Sequence, residues 1–167
     1  MVPVDILSIS LDDRTDQPVI VLRPTSGESR ILPIWIGHPE ATAILLALEG
    51  VEPPRPLTHD LLTNVLGGLD VVLERVEITR VEEGTFYAAL VLRGEERTIA
   101  IDARPSDSIA LAVRLRAPIM VDEAVMAEAS VEYEDSGAEE LDEEAAVEEL
   151  RSFLESVEPS EFGEGLA

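Results

Sequence analysis

The chain has 167 residues and no cysteine, which fits one domain with a short extension and excludes disulfides, thiolate zinc sites and a cysteine nucleophile. Its formal net charge is −23, from 35 acidic and 12 basic residues, so binding to nucleic acid would need metal ions or a local cluster of arginines. No apolar run approaches the roughly 20 residues of a membrane span and no basic leader opens the sequence, so we expect a cytoplasmic protein.

The first half of the chain predicts three strands followed by a helix. Strand-like runs separated by turn residues occupy 4–11, 19–23 and 30–37, and a helical pattern follows at 39–48 and ends at Gly50. Residues 31–36 are almost continuously apolar. This run predicts a strand that is covered on both faces, with Trp35 largely buried.

The second half repeats that order, with strand-like runs at 71–81, 85–92 and 97–103 and a helix at 105–115. The segments "HPEATAILLAL" and "RPSDSIALAVR" align at a constant offset of 66 residues, which places Pro39 on Pro105 and Leu45 on Leu111. The pattern predicts an α+β fold built by internal duplication, in which strand-strand-strand-helix units 3–50 and 70–116 superpose.

A linker helix is predicted between the two units, and an acidic tail after them. Four residues form one apolar face of the linker helix: Leu61, Leu62, Val65 and Leu66. We expect the domain to span residues 1–130 and the tail 131–167. Leu150, Phe153, Leu154 and Val157 lie at helical spacing in this tail and predict a terminal helix able to dock on a protein partner, while residues 128–167 should be dispensable for folding of the core.

Polar residues gather where the linker helix and the second-unit helix begin. Thr58 in the first and Ser106 in the second are placed to cap the backbone, and Asp60 and Asp107 lie in first turns, where the helix dipole favours a carboxylate. Capping alone therefore explains these four residues without invoking a reaction.

Capping does not explain Arg55, His59 or Arg104. An arginine that precedes a proline at a helix opening occurs twice, at Arg55 and Arg104, and each is followed by an aspartate in the first turn. Arginine, helix N-terminus and carboxylate together would suit a phosphate with a hard cation. His38 and Glu40, at the opening of the first-unit helix, either add to this site or face solvent.

Four segments in register resemble the bifunctional nuclease domain family: "LPIWIGHPEATAILLALEG", "RPLTHDLL", "GTFYAALVL" and "IDARPSDSIALAVR". The resemblance covers about residues 3–130. It implies an α+β fold and, as for some members of that family, activity on both RNA and DNA. The residues that match its motifs are Arg55, Thr58, His59, Asp60, Arg104, Ser106 and Asp107.

One hypothesis is a nuclease that hydrolyses phosphodiester bonds with a divalent cation. Asp60 and Asp107 would hold Mg²⁺ or Mn²⁺, His59 would act as general base or acid, and Arg55 and Arg104 would neutralise the charge that develops on phosphorus. This hypothesis requires the two helix openings to converge in space.

The alternative hypothesis is a non-catalytic regulatory or assembly domain. Here the polar helix openings are structural, and the protein docks a partner through its surface or its tail helix. Three-stranded units with open edges also make a homo-oligomer reasonable.

Overall fold

A computed structural model describes residues 1–133, which adopt the predicted α+β fold. The strands are β1 Val2–Leu11, β2 Pro18–Pro24, β3 Arg30–Trp35, β4 Val72–Glu82, β5 Thr85–Arg93, β6 Thr98–Ala103, β7 Ile119–Val121 and β8 Val131–Glu132. The helices are α1 His38–Leu48, α2 Thr58–Gly68, α3 Pro105–Leu115 and α4 Glu123–Ala129. None of the helices in residues 1–133 is long and apolar enough to cross a membrane.

The strands form one mixed sheet in the order β6-β5-β4-β7-β1-β2-β3-β8. Strand β7 joins the two halves of the sheet, because it pairs antiparallel with β1 and parallel with β4. On either side of β7, three consecutive strands form an antiparallel meander, and a helix follows each meander, α1 in the first half and α3 in the second. Both halves thus show the predicted order of elements, whereas their superposition as duplicated units stays a prediction.

The apolar core draws on strands and helices of both halves. Its fully buried side chains include Ile20, Leu22, Leu32, Ile44, Ile78 and Ile109. Helix α1 packs against α3, so the helices of the two halves meet directly. This contact brings the beginnings of the two helices, where the polar candidates lie, into one region of the molecule.

The predicted burial of Trp35 is wrong, because 49% of this residue is exposed. Only alternate residues of the apolar run, Leu32, Ile34 and Ile36, enter the core, since successive side chains of a strand point to opposite faces. An unbroken apolar run therefore did not mean a strand covered on both faces. The exposure of Trp35 also removes one observation that would have supported an internal duplication.

Helix α2 differs from its prediction at its beginning and on its apolar face. Its N-cap is Leu57, and Thr58 is the first helical residue, so Thr58 does not cap the helix. Asp60 contributes to capping instead: its Oδ2 accepts a hydrogen bond from the backbone N–H of Leu57 at 2.9 Å. Of the predicted apolar face only Leu66 is buried; Leu61, Leu62 and Val65 are exposed.

The predicted cap at Ser106 is also displaced. Arg104 is the N-cap of α3, Pro105 is the first helical residue, and no side chain caps this helix. Ser106 is buried one residue further into the helix.

Most of the predicted tail, including the proposed helix at residues 150–157, lies outside the described residues. The first residues of that tail extend the sheet: β8 pairs with β3 through Val131 and Ile31, beyond the expected boundary at residue 130.

Candidate active site

The beginnings of helices α1, α2 and α3 converge on a cluster of charged side chains, which we call the ionic cluster: Glu40, His59, Arg104 and Asp107. Glu40 lies in the first turn of α1, His59 at the start of α2, and Arg104 and Asp107 at the start of α3. The convergence of the helix openings at Thr58 and Ser106, which the nuclease hypothesis requires, is therefore present.

Arg104 lies between two carboxylates. Its Nε and Nη2 donate to Oδ2 and Oδ1 of Asp107 at 2.7 and 3.1 Å, and Nη2 also donates to Oε1 of Glu40 at 2.7 Å. These hydrogen bonds raise the pKa of Arg104, so its charge is permanent. The Arg104 side chain is nevertheless 65% exposed, and its Nη1 makes no hydrogen bond with any of residues 1–133. One end of the guanidinium is thus fixed and the other is available to a ligand.

His59 is held by the same aspartate. Its Nε2 lies 3.0 Å from Oδ1 of Asp107, and only 13% of the His59 side chain is exposed. Burial raises the pKa of Asp107, but hydrogen bonds from Arg104 and His59 outweigh it, so the carboxyl stays ionised at neutral pH. Because an ionised carboxylate only accepts hydrogen bonds, Nε2 carries the proton, and in neutral imidazole the basic lone pair lies on Nδ1. Asp107 therefore sets the tautomer of His59.

A glycine makes room for Glu40, the second acidic residue of the ionic cluster. Gly37 is the N-cap of α1, and a Cβ at this position would collide with Oε2 of Glu40. Glu40 therefore lies against the backbone of Gly37 and reaches Arg104 from there, and a larger residue at position 37 would force the Glu40 carboxylate to shift. This close approach is a specific reason for glycine at a position whose φ of −76° any residue could adopt.

Asp60 is separate from the ionic cluster and has a different partner. Its Oδ1 accepts a hydrogen bond from Nε of Arg114 at 2.6 Å, and this arginine also donates to the carbonyl oxygens of Ala43 and Ala110 at 3.0 and 2.9 Å. The Arg114 side chain is only 10% exposed. The hydrogen bond from Arg114 is the main cause that lowers the pKa of Asp60. The pair thus ties the start of α2 to α1 and α3.

Among residues 1–133, Arg55 and Thr58 make no contact of this kind with the cluster. Arg55 is exposed in the segment between α1 and α2 and forms no ion pair with the described residues, Thr58 is exposed, and His38 is half-buried where α1 begins. Ser106 lines a cleft beside Arg104. Arg114 carries no local sequence signal, since an arginine in the last turn of a helix is ordinary, and only its contacts identify it.

The arrangement does not fit Asp60 and Asp107 as a pair of metal ligands. Asp60 is bonded to Arg114, and both oxygens of Asp107 accept from Arg104, so a guanidinium already lies where a cation would balance the charge. Residues 1–133 also contain no group of three or more histidines, aspartates and glutamates placed to hold a metal ion.

Known proteins share the part of the sequence that contains the ionic cluster. The profile described as the bifunctional nuclease domain matches residues 20–134, which include every residue of the ionic cluster. A protein of Mycobacterium tuberculosis strain H37Rv, named only as an uncharacterized protein, is 46% identical over 162 residues, covering 95% of this chain and 96% of that protein.

Named nucleases are among the more distant relatives. Bifunctional nuclease 1 of Oryza sativa subsp. japonica is 29% identical over 120 residues, 70% of this chain and 36% of that protein. Bifunctional nuclease 1 of Arabidopsis thaliana is 27% identical over 114 residues, 66% of this chain and 35% of that protein. The chain thus spans about a third of the length of these plant relatives. Because the family profile covers more than half of its residues, the chain belongs to the bifunctional nuclease domain family.

Proposed function

We propose that this protein hydrolyses phosphodiester bonds of RNA or DNA at the ionic cluster. The observation that carries the proposal is the contact of His59 and Arg104 with the same carboxylate, Asp107. A histidine oriented by an aspartate is suited to proton transfer, and an arginine beside it is suited to a phosphate. The names of the plant relatives support the same reaction class.

In the proposed reaction, a water molecule attacks phosphorus and gives its proton to Nδ1 of His59. A new P–O bond forms as the bond to the leaving oxygen breaks; that oxygen takes up a proton from bulk water, and the proton on Nδ1 returns to bulk water after the reaction. Asp107 keeps the proton on Nε2 and so keeps Nδ1 basic, and the available Nη1 of Arg104 offsets negative charge on the phosphoryl oxygens. Arg55 lies outside the cluster and stays a prediction as a second phosphate ligand.

The requirement for Mg²⁺ or Mn²⁺ also stays a prediction. Purified protein is incubated with end-labelled single-stranded RNA and DNA in Mn²⁺, in Mg²⁺ and in EDTA, in parallel with His59→Ala. We expect cleavage by the wild type in Mn²⁺ or Mg²⁺, none in EDTA, and a rate roughly 100-fold or more lower in the variant. Equal cleavage by the wild type and the variant would contradict the proposal, because it is the result expected if a contaminating nuclease were present in both preparations.

A second candidate function, assembly without catalysis, is favoured by the exposed apolar side of α2. We call this the α2 face: Leu57, Leu61, Leu62, Val65 and Leu69, all exposed. An amphipathic helix normally buries this side. A second copy of the chain is the occupant we propose, because a symmetric contact would place one apolar helix on another, and the five side chains carry no charge to repel each other.

This candidate is tested by the mass of the protein in solution, measured by light scattering. We expect a dimer for the wild type and a monomer for Leu61→Glu, whereas Leu11→Glu, at an exposed leucine outside the α2 face, should remain dimeric. A monomeric wild type would exclude self-association through α2. Dimerisation without nuclease activity would favour assembly over catalysis.

A further inference from the structure

A cleft of about 280 Å³ lies beside the ionic cluster and contains an exposed tryptophan. It is lined by Trp35, Gly37, Gly84, Phe86, Arg104 and Ser106, among others. Arg104 belongs both to the cleft and to the ionic cluster, so a ligand in the cleft would lie next to the proposed reaction site. The volume is close to the lower end of the ~300 to 1,000 Å³ of ligand clefts, which suits one small planar group.

Trp35 is held in place without being buried. Its indole Nε1 donates to Oδ2 of Asp12 at 3.2 Å, while Oδ1 of Asp12 accepts from the backbone N–H groups of Arg14 and Thr15 at 3.0 and 3.1 Å. The turn that follows β1 thus fixes the polar edge of the ring. An exposed indole with a fixed edge adds little to the core, but it offers a rigid aromatic surface to a ligand.

We propose that Trp35 stacks on one base of a single-stranded nucleic acid whose adjacent phosphate binds Nη1 of Arg104. The choice of nucleic acid rests on the proposed function; the binding role of Trp35 is new. Stacking is sequence-tolerant, because every base has an aromatic face. Bases within a duplex are covered by their neighbours, so one tryptophan at a surface cleft reaches an unpaired base and not a paired one.

The charge of the protein supports this mode of binding. With a net charge of −23, the protein gains little from general attraction to phosphates, so stacking has to supply much of the affinity. A single phosphate contact at Arg104 predicts a shallow salt dependence, with a slope near −0.7 in a plot of log K against log salt concentration.

Trp35 is the single tryptophan of the chain, so intrinsic fluorescence reports on it directly. The protein is titrated with a short single-stranded oligodeoxynucleotide in EDTA, to separate binding from cleavage. We expect saturable quenching. The duplex of the same sequence should produce at most weak quenching, and buffer added in place of the oligonucleotide should lower the emission only by the dilution factor.

Variants are tested by the anisotropy of a fluorescein-labelled oligonucleotide, which does not need the tryptophan. Trp35→Ala should weaken binding by about 5- to 150-fold, as expected for the loss of one stacked base. Trp35→Phe keeps an aromatic ring but loses the bond to Asp12, and we expect an intermediate affinity. Because residue 35 is about half exposed and lies outside the core, both variants should remain folded at the assay temperature, which circular dichroism checks.

The outcomes separate this inference from the proposed function. Absence of quenching, or an unchanged affinity of Trp35→Ala, would overturn the role of Trp35. If the wild type still cleaved oligonucleotides in that case, the nuclease proposal would stand. Saturable quenching with loss of affinity in Trp35→Ala would support the inference even if no cleavage were found, since the titration needs no turnover.

Discussion

Nε2 of His59 and Oδ1 of Asp107 are 3.0 Å apart although the residues lie 48 positions apart in the chain. The contact exists because α2 and α3 begin at the same place. It makes Asp107 the shared partner of a histidine and an arginine, and it distinguishes Asp107 from Asp60, which binds Arg114. The two aspartates, similar in sequence context, therefore have different expected roles.

Loss of Arg114 should destabilise the protein. The variant Arg114→Met removes three hydrogen bonds, to Asp60, Ala43 and Ala110, and leaves the Asp60 carboxylate without its cation. Hydrogen bonds to charged groups contribute about 1.5–3 kcal/mol each at most, and exposure of Asp60 reduces that value. We expect a loss of about 2 kcal/mol in urea unfolding. The control Arg93→Met, at an exposed arginine, should change stability by less than about 0.5 kcal/mol.

The stability of the fold should fall in acid. The pKa values of Asp60 and Asp107 are both lowered in the folded protein, so the unfolded chain binds protons more readily. Their contribution is complete above the ordinary aspartate pKa of 3.8 and is lost as pH falls through the lower folded-state values. Urea unfolding at a series of pH values should show this loss below about pH 4. Asp60→Asn should make the free energy of unfolding depend less steeply on pH in this range. An unchanged dependence would contradict the assignment to Asp60.

Gly37→Ala should impair activity through Glu40. The added methyl group would collide with Glu40 and move its carboxylate away from Arg104, which then keeps Asp107 as its one carboxylate partner among the described residues. We expect a rate roughly 10-fold lower with the fold retained, less than the ~100-fold expected when a proton-transfer group is lost. Glu40→Gln should behave similarly. Wild-type rates in both variants would show that Glu40 does not position Arg104.

Removal of residues 134–167 should leave the core folded. The described residues contain a continuous apolar core, and β8 completes the sheet edge beside β3 through Val131 and Glu132. A chain ending at residue 133 should therefore melt within a few degrees of the full-length protein. Ending it at residue 127, a truncation that the sequence alone predicts to be harmless, also removes β8 and the last residues of α4 and should now lower the melting temperature further. Collapse of the 1–133 chain would show that apolar residues of the tail complete the core.

The elements of the fold could be predicted from the sequence because each carries a local signal. The strand runs, Pro105 at the start of α3 and the turn glycine Gly84, with its positive φ of 78°, mark their own boundaries. The burial of Trp35 was predicted wrongly, since an apolar run does not reveal how many faces of a strand are covered. The exposed side of α2 was missed for the same reason: periodicity shows that a face is apolar, but not what covers it.

The candidate site was only partly predictable. His59 and Arg104 were identified because capping does not explain a histidine or an arginine at a helix opening, and Asp107 because it follows Arg104 in the first turn of the same helix. Their pairing depends on the packing of α2 on α3, which no local pattern encodes. The role of Asp60 as a partner of Arg114 depends in the same way on long-range contacts.

The central claim, that His59 and Asp107 act as one catalytic unit, is tested most directly by a double-mutant cycle on the cleavage rate of a labelled oligonucleotide. We expect His59→Ala and Asp107→Asn each to lower the rate by roughly 100-fold or more, and the double variant to be no slower than the worse single variant within a few fold. Asp70→Asn, the same charge change at an exposed aspartate, should retain the wild-type rate. Full activity in either folded single variant, or losses that multiply in the double variant, would contradict the claim.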